Sequence, residues 1–260
     1  MPIVYNPFYS LAGVLVGLLV GLTGVGGGSL MTPLLVLVFG FHPVTAVGTD
    51  LLYASATKTV GTAVHGWRGT VDWRVVGRLA AGSVPTTVAM LFALSYATHR
   101  SADTGHLVAT ILGAVLLLTA GAILFRERIV SRLAPRFGRL SDRRIGWLTV
   151  LLGAILGALV SLTSVGAGAL GITALLVLYP RLELKRLVGS DIAHAVPLTL
   201  IAGLGHMTLG AVDFSLLVSL LAGSVPGIVI GSLVATRVSD RVLVPILAVT
   251  LAVVGVKLVF

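Results

Sequence analysis

The chain of 260 residues is 57% hydrophobic and only 10% charged, with a mean hydropathy of +1.07. A soluble domain carries about 25% charged residues, so a water-covered globule is excluded and the bilayer must be the solvent for most of the chain. The excess of 18 Lys+Arg over 9 Asp+Glu lies mostly between apolar segments, which assigns it to cytoplasmic loops rather than to nucleic acid. Cysteine is absent, which excludes disulfides, thiolate metal sites and a cysteine nucleophile and leaves the redox compartment open. The first ten residues hold no Lys or Arg, so they lack the basic region of a signal peptide, and the first apolar run is expected to be a retained span.

In chain order the apolar runs predict segments over 8–23, 29–40, 44–65, 73–98 and 105–125, and then over 145–162, 167–179, 186–207, 214–236 and 241–259. A helix crossing a 30 Å core needs about 20 residues. The second and seventh segments fall short of that. They are expected as tilted half-helices or re-entrant pieces, which persist at membrane depth only when protein or a cavity covers them.

The break between the two groups, 126–144, contains seven arginines against Glu127 and Asp142. The positive-inside rule places it in the cytoplasm. If all ten segments cross, the loops at Arg68 and Arg74, at Arg181, Lys185 and Arg186, and at Arg237 and Arg241 share that side. The loops at His42, at Arg100 and Asp103, and at Asp213 then lie outside with both termini. The location expected is a cell (inner) membrane.

The two groups repeat each other. Gly21-Leu-Thr-Gly-Val-Gly-Gly-Gly-Ser-Leu30 matches Ser161-Leu-Thr-Ser-Val-Gly-Ala-Gly-Ala-Leu170 at an offset of 140. At an offset of 141, Gly48-Thr-Asp50 matches Gly189-Ser-Asp191, His65 matches His206, Gly69-Thr-Val-Asp72 matches Gly210-Ala-Val-Asp213, and Gly82-Ser-Val-Pro85 is identical to Gly223-Ser-Val-Pro226. A register held this long marks a duplicated unit. Five segments per unit is an odd number, so the second copy should run inverted. The bases agree: Arg74 and Arg78 have Ser215 and Ser219 as counterparts, and Arg181 and Lys185 decorate a turn whose copy around His42 has none. Inverted repeats are typical of secondary transporters. The expected domains are a first repeat over 1–125, a basic cytoplasmic loop over 126–144 and a second repeat over 145–260.

Candidate site residues follow from the breaks and from the charges inside spans. Thr23, Gly24, Gly26, Gly27, Gly28 and Ser29 form one Gly-rich break, and Thr163, Ser164, Gly166 and Gly168 the other. Such breaks expose N–H groups at a helix start, where the dipole favours an anion; the alternative is tight packing by small residues. Asp50 and Asp191 are equivalent acids within spans. They either exchange a coupling proton or hold the fold by capping or pairing. Lys58, eight residues after Asp50, either attracts an anionic substrate or pairs with one of these acids. His194 stands near Asp191, as a proton relay or as a satisfied core histidine. His65 and His206 are expected near the interfaces, and no histidine has acids at ligand spacing, so no metal is expected. Pro85 and Pro226 are hinges or static kinks, and Trp67, Trp73 and Trp147 are interfacial anchors.

At these residues the sequence resembles the TauE/SafE family of sulfite exporter-like permeases, also called TSUP. The Gly-Gly-Gly-Ser start with Pro33, the Gly48-Thr-Asp50 stretch, the turn from His65 to Trp73 and the second-half copy carry the likeness. Thr163-Ser-Val-Gly-Ala-Gly-Ala169 departs from it by lacking the triple glycine, so the two copies need not contribute equally. The resemblance implies a bacterial or archaeal inner-membrane carrier of small sulfur-containing or organic anions, with the matching Gly-rich and Thr/Ser–Asp positions lining the pathway.

Together these features predict an all-α integral membrane protein of about ten helical segments in two inverted five-segment repeats. It is expected to be a secondary transporter, an exporter by preference, of a sulfur oxyanion or organosulfonate such as sulfite, thiosulfate or sulfoacetate. The coupling ion is a proton or sodium, with no cofactor and no enzymatic activity. The alternatives are a passive anion channel and a carrier of non-sulfur organic anions. An intramembrane enzyme would need clustered acids or a metal set, which nine acids spread over the chain do not supply. The exact anion, the direction, the coupling ion and the oligomeric state stay open at this point.

Overall fold

A computed structural model describes residues 5–23, 28–67, 69–100, 104–234 and 240–260, and every regular element among them is an α-helix. The helices are α1 (Pro7–Thr23), α2 (Gly28–Leu37), α3 (Pro43–Trp67), α4 (Trp73–Arg100), α5 (Thr104–Leu124), α6 (Arg126–Phe137), α7 (Asp142–Thr163), α8 (Ala169–Leu178), α9 (Leu184–Thr208), α10 (Phe214–Val234) and α11 (Asp240–Val259). Ten of these coincide with the ten expected segments to within three residues at each end. Among the described residues α4, α5, α7 and α9 are each long and apolar enough to cross a bilayer. The outer surface is apolar, with Phe8, Phe92, Leu118, Leu151 and Val253 exposed, as a lipid-facing surface requires.

The eleventh helix, α6, lies in the stretch expected as a loop. It has too many arginines to register as a span, yet they recur at helical spacing. Arg128, Arg132 and Arg136 are exposed on one face, while Ala134 is buried on the other. The helix packs against α5 and α8.

Helices α2 and α8 have ten residues each, about 15 Å of rise, or half of a hydrocarbon core. Each returns beside the start of the helix before it. The Tyr9 ring meets Phe39 and Phe41 edge-on at 5.2 and 5.6 Å, so the beginning of α1 and the end of α2 lie together. Tyr179, just after α8, shares a hydrogen bond of 2.8 Å with Thr149 near the start of α7. Thr149 gives its own proton to the Ile145 carbonyl, so Tyr179 is the donor. The α7–α8 hairpin therefore points its tip, residues 164–168, into the protein. Val165 at that tip is buried against Leu112, Leu116 and Leu251.

The helices pair across the two halves: α1 with α10, α4 with α7, α3 with α9 and α5 with α11. Small residues allow the backbones to touch. A Cβ on Gly13 or Gly223 would collide with the carbonyl of Leu220 or Ser10 between α1 and α10. A Cβ on Gly153 or Gly82 would collide with the carbonyl of Leu79 or Val150 between α4 and α7. These collisions fall on positions that the internal alignment equates. Helices α3 and α9 run antiparallel, since Gly48 lies under the Ala211 carbonyl and Gly189 under the Thr70 carbonyl. Equivalent hydrogen bonds lock the two ends. Asp72 N donates to Ser190 Oγ at 2.8 Å, and Asp213 N donates to Thr49 Oγ1 at 3.0 Å. Pro85 and Pro226 lie inside continuous helices, α4 and α10.

Backbone contact at Gly82 leaves no room for a methyl group. Gly82→Ala is expected to lower stability by about 1–3 kcal/mol, as overpacking does. Gly121 in α5, with nothing within 4 Å of its would-be Cβ, should accept alanine and gain up to about 1 kcal/mol of helix propensity. Thermal melts of both variants in the same detergent check the contrast.

Candidate functional site

The acids expected inside spans lie at the centre of the fold. Asp50 on α3 and Asp191 on α9 are fully and almost fully buried, on the two helices that pack antiparallel through the middle. Burial of a carboxylate demands partners, and the two acids find different ones. Thr32 on α2 donates its hydroxyl to Asp50 Oδ2 at 2.5 Å. Ser164, at the tip of the second hairpin, faces the same carboxyl, while Asp50 Oδ1 and Ser164 Oγ each lack a hydrogen bond. Thr173 is the counterpart of Thr32, but it donates to the Ala169 carbonyl within its own helix. Asp191 is faced instead by the backbone amide of Gly168, and its Oδ1 has no hydrogen bond. That oxygen lies where a side chain on Gly171 would stand.

The conformation of the tip explains its residue types. Gly166 and Gly168 have φ of +125° and +115°, values that only glycine adopts without strain. Ser164 caps α7 in the left-handed conformation at φ 58°, its N–H bonded to the Val160 carbonyl. Beyond Gly168, α8 begins with the N–H groups of Ala169 and Leu170, for which no acceptor is found among the described residues. These are the free donors of a helix start.

Lys58 acts on both Asp50 and Asp191 without an ion pair to either, since the salt bridges among the described residues lie elsewhere. It is a shared counter-charge to the two acids rather than half of a closed pair. His194 Nε2 is 2.8 Å from Ser83 Oγ, and its Nδ1 has no partner. Tyr53, the counterpart of His194, faces Ser224, the counterpart of Ser83, but its hydroxyl makes no hydrogen bond there. His206 is buried rather than interfacial, and its Nε2 donates to the Ser161 carbonyl at 2.9 Å. Thr163 spends its hydroxyl on its own turn, donating to the Leu159 carbonyl and accepting from Val165 N. Gly24, Gly26 and Gly27 lie outside the described residues, and only the backbone of Thr23, Gly28 and Ser29 is described.

Three residues here are not among those that the sequence pattern singles out as candidates: Thr32, Ser83 and Ser224. Thr32 is the donor to Asp50, and its only signal was the recurrence of threonine as Thr173. Ser83 and Ser224 sat inside the twin Gly-Ser-Val-Pro sequences, where the prolines drew the attention. At the other end of the hairpin, Arg78 grips both oxygens of Asp142 at 2.8 and 3.2 Å and also donates to Tyr179. A cavity of about 300 Å³ opens there, lined among others by Arg74, Arg78 and Arg181. Trp67, Trp73 and Trp147 are all exposed near this basic end, as anchors at a membrane–water boundary are.

Thr32 and Thr173 occupy equivalent positions but do different work. Thr32→Val removes the donor to a buried carboxylate and is expected to cost about 1–3 kcal/mol. Thr173→Val, which removes a bond internal to one helix, should change the melting temperature far less. Parallel thermal melts check the difference.

Comparison with known proteins gives this site its context. The "probable membrane transporter protein YjnA" of Bacillus subtilis is 40% identical over 216 residues, covering 81% of this chain and 83% of the relative. The "probable membrane transporter protein YdhB" of the same organism is 28% identical over 80% of this chain and 81% of its own length. The "probable membrane transporter protein MJ0441" of Methanocaldococcus jannaschii is 27% identical over 76% of this chain and 70% of its own length. No solved structure matches. The relatives are named as transporters, a non-enzymatic class, in agreement with the expectation that this chain is a membrane-embedded transporter and no enzyme. The family described as sulfite exporter TauE/SafE matches residues 9–258, nearly the full length, and the chain belongs to that family.

Proposed function

We propose that this membrane transporter is a secondary carrier of a small anion, a sulfur oxyanion or organosulfonate such as sulfite, thiosulfate or sulfoacetate. It works by alternating access between two inverted five-segment repeats, 1–125 and 145–260, joined by the basic 126–144 segment. The observation that carries this reading is the start of α8. Its Ala169 and Leu170 amides are free of acceptors at a tip buried in protein, where the helix dipole favours negative charge. Lys58 acts on the same Asp191 carboxyl that the Gly168 amide faces, so a cation and a helix N-terminus converge there. The glycines at 166 and 168 let an oxyanion approach the backbone, and Ser164 adds a hydroxyl. By the internal repeat, Thr23, Gly24, Gly26, Gly27, Gly28 and Ser29 take the corresponding part in substrate binding.

Coupling follows from competition at this point. With no substrate, Asp191 is held by the Gly168 amide and Lys58. An incoming anion displaces that interaction, and the carboxyl must then take up a cation, because two adjacent negative charges cannot share a low-dielectric site. Asp191, Asp50 and His194 are the groups at which a coupling cation, a proton or sodium, is taken up. In the cell (inner) membrane the 126–144 segment faces the cytoplasm and both termini face outward. The arginine-lined cavity at the basic end then collects anions on the cytoplasmic side, as an exporter requires.

Counterflow in proteoliposomes preloaded with sulfite or thiosulfate tests the reading. Saturable exchange of labelled anion is expected, and Lys58→Met should reduce it by about tenfold or more, the effect of losing at least 1.4 kcal/mol of attraction. Rapid uncoupled leakage without counterflow identifies a channel instead. Orientation is checked separately in this cysteine-free chain. Ser131→Cys in α6 should react with an impermeant maleimide only after the cells are opened, and Thr208→Cys should react in intact cells.

A further inference from the structure

The two buried acids have opposite surroundings. Asp191 faces the amino end of α8, whereas Asp50 faces Ser164, the residue that caps the carboxyl end of α7. A helix C-terminus carries negative partial charge, so a carboxylate beside it is unfavourable unless a cation sits between them. Oxygens without donors gather at this end of α7. Asp50 Oδ1 and Ser164 Oγ are buried and lack hydrogen-bond partners. No donor among the described residues reaches the carbonyls of Leu162 and Thr163 in the last turn of α7. Nearby donors are committed elsewhere: Ser164 N–H is bonded to the Val160 carbonyl, Val165 N–H to Thr163 Oγ1, and His206 to the Ser161 carbonyl. The nearest cation, Lys58, makes no ion pair with Asp50.

We propose that Asp50 Oδ1, Ser164 Oγ and the carbonyl end of α7 form a sodium site, and that sodium held there readies the neighbouring α8 amides for the anion. The donor set is one carboxylate, one hydroxyl and backbone carbonyls, all hard oxygens, as alkali and alkaline-earth cations require. A single carboxylate suits a monovalent ion. Thr32 fixes the other carboxylate oxygen, which leaves Oδ1 a single direction. The ion would bridge α3 to the tip of the second hairpin, and that same tip carries the α8 amides. Sodium bound at Asp50 therefore holds the tip in the position that presents those amides. It also adds positive charge beside Asp50, on which Lys58 is the only cation acting among the described residues, whereas Asp191 is also acted on by Arg126. Coupling of sodium to the anion rests on the carrier reading above; the cation site itself does not.

The test uses the intact protein in detergent and in proteoliposomes. Without any anion substrate, sodium chloride should raise the melting temperature above that in potassium or choline chloride at equal ionic strength. That rise should vanish in Ser164→Ala and in Asp50→Asn. Should either variant fold poorly, binding of ²²Na⁺ to the unmodified protein, saturating at one ion per chain, gives the same information. Counterflow of labelled thiosulfate should fall about tenfold when choline replaces sodium, because a site competent only with the cation bound loses apparent affinity in proportion. Identical melts and identical counterflow in sodium and choline overturn the site, and a rate that then follows pH alone assigns Asp50 to a proton. A sodium effect that survives both substitutions also overturns it. A sodium-dependent melt with no counterflow of any anion upholds the cation site and refutes the anion-carrier reading.

Discussion

The structure depends on one constraint: inside a bilayer, no broken stretch of backbone can be left facing lipid. The second half contains such a stretch, between α7 and α8. The second tip is covered by burying Val165 among residues of α5 and α11 and by setting the tip against the α3–α9 pair. That coverage requires helices from both halves to approach closely. Gly13, Gly82, Gly153 and Gly223 make such an approach feasible, because any side chain there would strike a carbonyl of the opposing helix. The glycine content thus answers to two demands. Packing accounts for most of it, and the positive φ at Gly166 and Gly168 accounts for the part that shapes the tip.

Covering the break with protein also creates the site. The end of α7 and the start of α8 carry unpaired carbonyls and amides, which in water would be solvated. Here the Gly168 amide faces Asp191, and Ser164 faces Asp50. The protein has placed one carboxylate at each kind of helix end and one lysine acting on both. A buried group of this composition is costly as a purely structural device, since an apolar replacement would pack as well. On the proposed reading it is a place where charge enters and leaves, with each end of the broken helix selecting one sign. The two halves differ here: Thr32 donates to Asp50, whereas Thr173 turns back to its own helix. Equivalent acids can thereby take unequal parts in a cycle.

Much of this was legible beforehand. Hydropathy marks each span, because transfer into lipid is decided residue by residue and needs no tertiary knowledge. The short second and seventh segments, the register linking Asp50 to Asp191 and Gly82 to Gly223, and the basic break all stand in the sequence in the same way. The helix α6 was missed for a related reason. Hydropathy looks for uniform apolarity, and α6 is amphipathic, with Arg128, Arg132 and Arg136 on one face and Ala134 on the other.

The sequence by itself thus determined the class, the spans, the duplication and the small set of charged residues that lipid cannot tolerate unaccompanied. Only the tertiary structure decided which atoms accompany them. No spacing reveals that Thr32 reaches Asp50, that Ser164 from the other half faces it, or that Lys58 makes no ion pair with either acid. These contacts join residues far apart in the chain, and they depend on how α3 crosses α9 and how deep the second tip reaches. That geometry follows from the summed packing of helices at glycine contacts. Local pattern carries the periodicity of each helix but not the distance between two of them.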